Sequence, residues 1–192
     1  MRPFEYGLGL VTILISLALA DMVMCFHRLL RGGRRVTWDG RVVVATALVV
    51  LEIVRSWYAE WTIRDLAQAE VFHVFLCQFV SIIVLVLLAA SSLPDEVGEH
   101  CDLSAFYESN RRYFWGLFAL NQLMYALLGL FVFGIQQDSA GGPVDVFNLL
   151  RMFAPFALYV LLACVRVHVL DYAIPIAIMA VYLFLYWNQA LA

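Results

Sequence analysis

Two ionisable side chains in the middle of an apolar run are the first feature of this chain that could do chemistry. The stretch from Arg41 to Trp61, RVVVATALVVLEIVRSWYAEW, carries Glu52 and Arg55 near its centre. Their i, i+3 spacing puts both on one helix face, where they can pair with each other. A charge at that depth in hydrocarbon is costly unless it is paired or faces a wet interior, so this face is expected to turn toward other helices.

Further polar residues fall at related depths when the chain is read as membrane-spanning helices. Glu52 and Arg55 lie near or just beyond the midplane, Gln78 and Arg151 in the outer half, and Asn121 and Gln122 just inside the midplane. Arg151 is a second guanidinium at similar depth, with Gln78 and the Tyr58 hydroxyl in plausible reach. Two guanidinium groups against one carboxylate leave more donors than acceptors, which suggests water or an anion between the helices. The expected substrate or ion pathway is therefore Glu52, Arg55, Arg151, Gln78, Asn121 and Gln122, with mild preference for an anionic substrate or proton coupling through Glu52. The plainer alternative is a structural clasp in which Glu52 and Arg55 only satisfy each other. Asp21, in the inner third of the first span, is expected to pair with Arg28 or a neighbouring helix; a proton-relay role is the sharper alternative.

Two pairs have metal-ligand spacing, His73 with Cys77 and Cys164 with His168. They fall at opposite ends of their spans, roughly a bilayer apart, whereas a metal reaches only about 2 Å. No metal and no cofactor is expected. Glu99, His100, Cys101 and Asp102 are consecutive, a solvated loop rather than a chelating set. All twelve basic residues are arginine. The absence of lysine excludes a retinal or pyridoxal Schiff base and a P-loop lysine. Neither HExxH, GxSxG nor a Gly-rich phosphate loop occurs, so no motif supports an enzyme. The four cysteines, Cys25, Cys77, Cys101 and Cys164, form no CxxC, and no disulfide is expected.

The elements that must position these residues follow from composition. Of 192 residues 64% are apolar and only 14% charged, too few for a water-soluble shell. The fold class is therefore all-α: a polytopic membrane protein forming one helical-bundle domain over residues 1–192. Six stretches are long enough to cross a hydrocarbon layer of roughly 30 Å: residues 6–26, 42–61, 71–91, 114–135, 146–167 and 173–191. The last two are joined by a very short polar link, Arg166 to Asp171, and a five-span chain with a re-entrant end is the alternative. The first run continues through Phe26, past the signal-like Ala18-Leu19-Ala20, and is expected to be an uncleaved span.

Arginine sets the orientation. Arg28, Arg31, Arg34, Arg35 and Arg41 fill the first connection, Arg111 and Arg112 close the third, and Arg166 marks the fifth; the fourth has none. By the positive-inside rule the odd connections are cytoplasmic and both termini lie on the non-cytoplasmic side. The fourth connection, Gln136 to Pro143, reads as a flexible loop, and Asp102 or Ser104 as the cap of a helix running into span four.

Together these features suggest a small transport-class protein, a channel or transporter for a small ion or solute. The alternative is a non-transporting structural, sensory or accessory subunit of a membrane complex. Expected partners are membrane lipids, with anionic head groups at Arg28, Arg31, Arg34 and Arg35, and a second copy or a partner membrane subunit. With no basic face, nucleic acid is not expected. The arginine-rich first connection, Leu93-Pro94-Asp95 and Asn110 to Phe114 have the flavour of small bacterial inner-membrane proteins, which sets the expected location.

Overall fold

A computed structural model of the chain describes residues 3–63, 72–95, 100–140 and 146–186. Among them are six α-helices: α1 (Pro3–Gly32), α2 (Gly40–Ile63), α3 (Phe72–Ser91), α4 (Leu103–Ala140), α5 (Val146–Cys164) and α6 (His168–Tyr186). Apolar runs of this length become helices in a bilayer because each backbone donor finds its acceptor within the same segment. Five helical stretches are long and apolar enough to cross a membrane, in α1, α2, α3, α4 and α6. In α5 the described apolar stretch, Met152–Cys164, is shorter. The chain is thus all-helical with several apolar helices, as a multi-pass membrane protein requires.

One helix start agrees with the sequence expectation and two other boundaries depart from it. Asp102 Oδ1 accepts the amides of Ser104 at 2.9 Å and Ala105 at 3.4 Å. That cap starts α4 at Leu103, one of the two caps expected from the sequence, and interface and span form one continuous helix. At its other end α4 runs through Ala140, where a flexible loop from Gln136 is expected. Nothing in residues 136–140 breaks a helix; the glycine and proline breakers come after them. Finally, α6 begins at His168, so the expected polar link contracts to residues 165–167 and Asp171 becomes part of the first helical turn. The remainder of the second connection and the chain after Tyr186 lie outside the described residues.

Helix α4 is the hub, packing most extensively on α5 and α3, while α1 leans on α3 and α2 on α6. Its buried Trp115 and Phe118 meet Tyr159 of α5 in stacked contacts, with centroids 5.9 and 4.8 Å apart. Lipid tails are as apolar as leucine, so such helices are held by close packing and interhelical hydrogen bonds rather than by escape from water. The outward faces are correspondingly apolar: Ile13, Leu17, Phe72, Val169 and Phe184 are exposed.

A two-residue bridge fastens the arginine-bearing end. Val36 pairs with Cys101 and Thr37 with Asp102, in parallel. The chain reaches this bridge from α1 through a short 3-10 turn, Gly33–Arg35, in which Gly33 takes a φ of 54°, a left-handed conformation that favours glycine. The first and third connections therefore share one face of the bundle.

Candidate functional site

Glu52 lies on α2 with no exposure at all. Its Oε2 accepts Arg55 Nε at 2.8 Å, and its Oε1 accepts Gln122 Nε2 from α4 at 2.7 Å. Gln122 Nε2 also donates to the Tyr182 hydroxyl of α6 at 3.0 Å, so three helices meet at one carboxylate. The Arg55 guanidinium is 4.2 Å from the ring centre of Tyr125 and 5.1 Å from that of Tyr182. A guanidinium held over aromatic faces and beside a carboxylate has its charge compensated within the bundle. Nη2 lies 2.7 Å from Glu52 Oε2 but off the hydrogen-bonding direction, leaving a Coulombic contact. Tyr125 in turn donates to Ser56 Oγ at 2.5 Å, tying α4 back to α2.

Of the expected pathway residues, Glu52, Arg55 and Gln122 are brought together. Gln78 and Asn121 belong to a second polar spot between α3 and α4, where Ser81 donates to Asn121 Oδ1 at 3.1 Å. Both are buried, and Gln78 Oε1 and Asn121 Nδ2 have no hydrogen-bond partner among the described residues. Arg151 is on α5, and its side chain lies outside the described residues. Among the described side chains the count at the centre is one guanidinium to one carboxylate.

Asp21 does not meet Arg28. The Arg28 guanidinium turns to Cys25 Sγ at 3.0 Å, its neighbour three residues back on the helix. Asp21 is exposed, on the outer side of α1 with Leu17 and Met24, and no described residue pairs with it.

The metal-like pairs fare differently. Cys164 closes α5 and His168 opens α6 across the break at residues 165–167, so the two do not share a helix face. The His73 side chain lies outside the described residues.

The sequence reading leaves a second polar centre unassembled, at the arginine-bearing end. Buried Arg41, read only as an orientation signal, is clamped by Asp39 at 2.7 Å and Glu108 at 2.5 Å. It also donates to Ser104 Oγ and His168 Nδ1, both at 3.0 Å, and its guanidinium lies 4.7 Å from the Tyr107 ring centre. Burial raises the Asp39 carboxyl, but hydrogen bonds from the Arg41 side chain and amide outweigh it, and the net shift is downward. Arg111 and Asp171, both buried, pair at 3.1 Å, and Arg111 also donates to the Val165 carbonyl. Burial and the charge of Asp102 push the neighbouring Cys101 thiol up, away from a nucleophilic thiolate. The available signal was Asp39 immediately before a helix and Asp171 immediately before an apolar run, both acids where a helix start favours them.

No family model matches the chain, and no curated protein or solved structure matches it. The chemistry of both centres therefore rests on their own geometry.

Proposed function

We propose that this chain is a non-transporting accessory subunit of a membrane complex, docking through α1 onto a transmembrane helix of another protein. In this reading the chain is one bundle domain of six spans with both termini on the non-cytoplasmic side. Glu52, Arg55 and Gln122 clasp α2, α4 and α6 together, and Asp21 is the docking residue.

One observation carries the reading: Asp21 faces outward from an apolar helix with no acid-satisfying partner among the described residues. Arg28, where the basic end of α1 begins, is seven residues further on, about 10 Å along the axis at ~1.5 Å per residue. An aspartate facing lipid costs about 2.5–3.5 kcal/mol at a helix centre on insertion scales, and less at the inner third where Asp21 sits. A partner helix with an arginine or lysine at matching depth removes that cost. A second copy fits less well, because the exposed face of α1 carries no basic residue level with Asp21.

The test is Asp21→Leu. In the isolated chain it should raise the thermal midpoint or the efficiency of membrane insertion, because it removes an orphan charge. In native membranes it should abolish a crosslink formed by a photoreactive residue at Leu17. Unchanged insertion together with an unchanged crosslink would reject the reading, and a crosslink to a second copy would replace the partner by a homodimer.

A second reading, transport, is favoured by one observation, the partnerless buried atoms of Gln78 and Asn121 between α3 and α4. Water there would start a polar path toward Glu52, with Arg55 and Arg151 along it. Flux through reconstituted vesicles that collapses in an Asn121→Leu variant of unchanged thermal midpoint would establish it; no flux above the lipid background is expected.

A further inference from the structure

A partly open cavity of about 360 Å³ lies at the arginine-bearing end, lined by Arg41, Ser104, Glu108, Arg111, Arg166, His168 and Asp171. It is separate from the Glu52 clasp and from the outer face of α1. Its size falls at the lower end of ligand pockets, roughly 300–1,000 Å³.

Its walls are held in place before any ligand arrives. Arg41 is fixed by Asp39 and Glu108, and Arg111 by Asp171 and the Val165 carbonyl. Arg41 Nη1 can only donate, so His168 Nδ1 accepts from it and Nε2 is the ring nitrogen that carries a proton. Ser104 Oγ accepts from Arg41 Nη2 and its hydroxyl hydrogen-bonds Asp39, so it belongs to the fixed wall.

Two charged groups remain unengaged. Arg166, exposed on the short break between α5 and α6, has no acid partner among the described residues. Glu108 spends Oε1 on Arg41 but is 41% exposed, and its Oε2 has no described partner. Counting Asp39 behind Arg41, three guanidinium groups face three carboxylates. A simple anion would meet Glu108, and a simple cation would meet Arg166. The cavity as a whole is neutral but polarised, with a spare cation and a spare anion.

We infer that this cavity binds a zwitterionic group, an ammonium joined by a short linker to a phosphate diester. The phosphate takes Arg166 and the His168 Nε2–H; the ammonium takes Glu108 Oε2. Position selects phosphate diester over other zwitterions, because the cavity opens where α2, α4 and α6 begin, at the boundary between apolar spans and an arginine-rich face. Lipid head groups occupy that level. The same chemistry occurs in a free glycerophosphoethanolamine.

The experiment titrates the full chain in a neutral detergent with three probes: glycerophosphoethanolamine, dihexanoyl-phosphatidylethanolamine and dihexanoyl-phosphatidylglycerol, read by calorimetry. At least one ethanolamine probe should bind more tightly than the glycerol probe. Binding of the soluble probe assigns recognition to the head group alone, and binding of only the acylated probe assigns the source to lipid; either supports the site. Arg166→Ala should weaken ethanolamine-probe binding by about tenfold or more, the loss of one charge-assisted contact. Glu108→Gln should erase the preference for ethanolamine over glycerol. Arg166 lies outside the described ion pairs, so its removal is not expected to lower the thermal midpoint. Three results overturn the inference: no probe binding at millimolar concentration, equal or tighter binding of the glycerol probe, or Arg166→Ala binding as the unsubstituted protein does.

Discussion

Removing only the acid from the Glu52–Arg55 pair would strand a guanidinium in a site with no other carboxylate among the described residues. Glu52→Gln is therefore expected to destabilise the protein by roughly 3–5 kcal/mol, the range for breaking a buried pair from one side. The double change Glu52→Leu with Arg55→Met should cost far less, because neither charge is then left in the interior. Equilibrium unfolding in detergent measures both, and with the single changes Glu52→Leu and Arg55→Met it completes a double-mutant cycle, in which additive losses would mean that the two side chains do not share one interaction. Glu52 and Arg55 stand out in the sequence because a charge in an apolar run has few explanations. Tyr125 and Tyr182 do not, since tyrosine in a span also reads as an interfacial anchor and only the fold shows their rings over Arg55. The outward aspect of Asp21 is invisible for the same reason: periodicity alone does not say which side of α1 leans on α3.

At the scale of elements, helix starts do most of the organising. Asp102→Ala removes the side-chain acceptor for two amides at the start of α4 and is expected to cost about 1 kcal/mol. The start of α2 is tied by Asp39, whose carboxyl is held below its ordinary value of 3.8. For a depressed carboxyl the unfolded chain binds the proton more readily than the folded one, so the stabilisation is fully present above that ordinary value. It is lost as pH falls through the lower, folded value. Acid unfolding below about pH 4 should therefore flatten in Asp39→Asn relative to the native sequence, and parallel acid limbs would show that Asp39 is not coupled to folding. Helices are legible in apolar run length and the Asp102 cap in its residue type, but other ends are not: the end of α4 at Ala140 and the entry of α6 at His168 each move a boundary by about five residues. The Arg41 centre escapes a linear reading because its members come from α2, α4, α6 and the connection before α2, and charges near helix ends usually mean solvent.

For the whole molecule, the orientation drawn from arginine placement has a direct measurement. In a background without native cysteines, single cysteines at Arg35 and Arg112 should react with an impermeant maleimide from one side of the membrane, and one at Gln137 from the other. Labelling of all three from the same side would overturn the six-span arrangement. The general architecture is legible from composition alone, whereas which helices neighbour which depends on pairings far apart in sequence, such as α2 with α6. The small bridge of Val36 with Cys101 and Thr37 with Asp102 carries a consequence for biogenesis. Its two halves emerge from the ribosome with α2 and α3 between them, so the staple cannot close until both of those segments have been synthesised. Until then the first arginine-rich turn waits untethered, and a chain truncated before Cys101 would leave it so permanently.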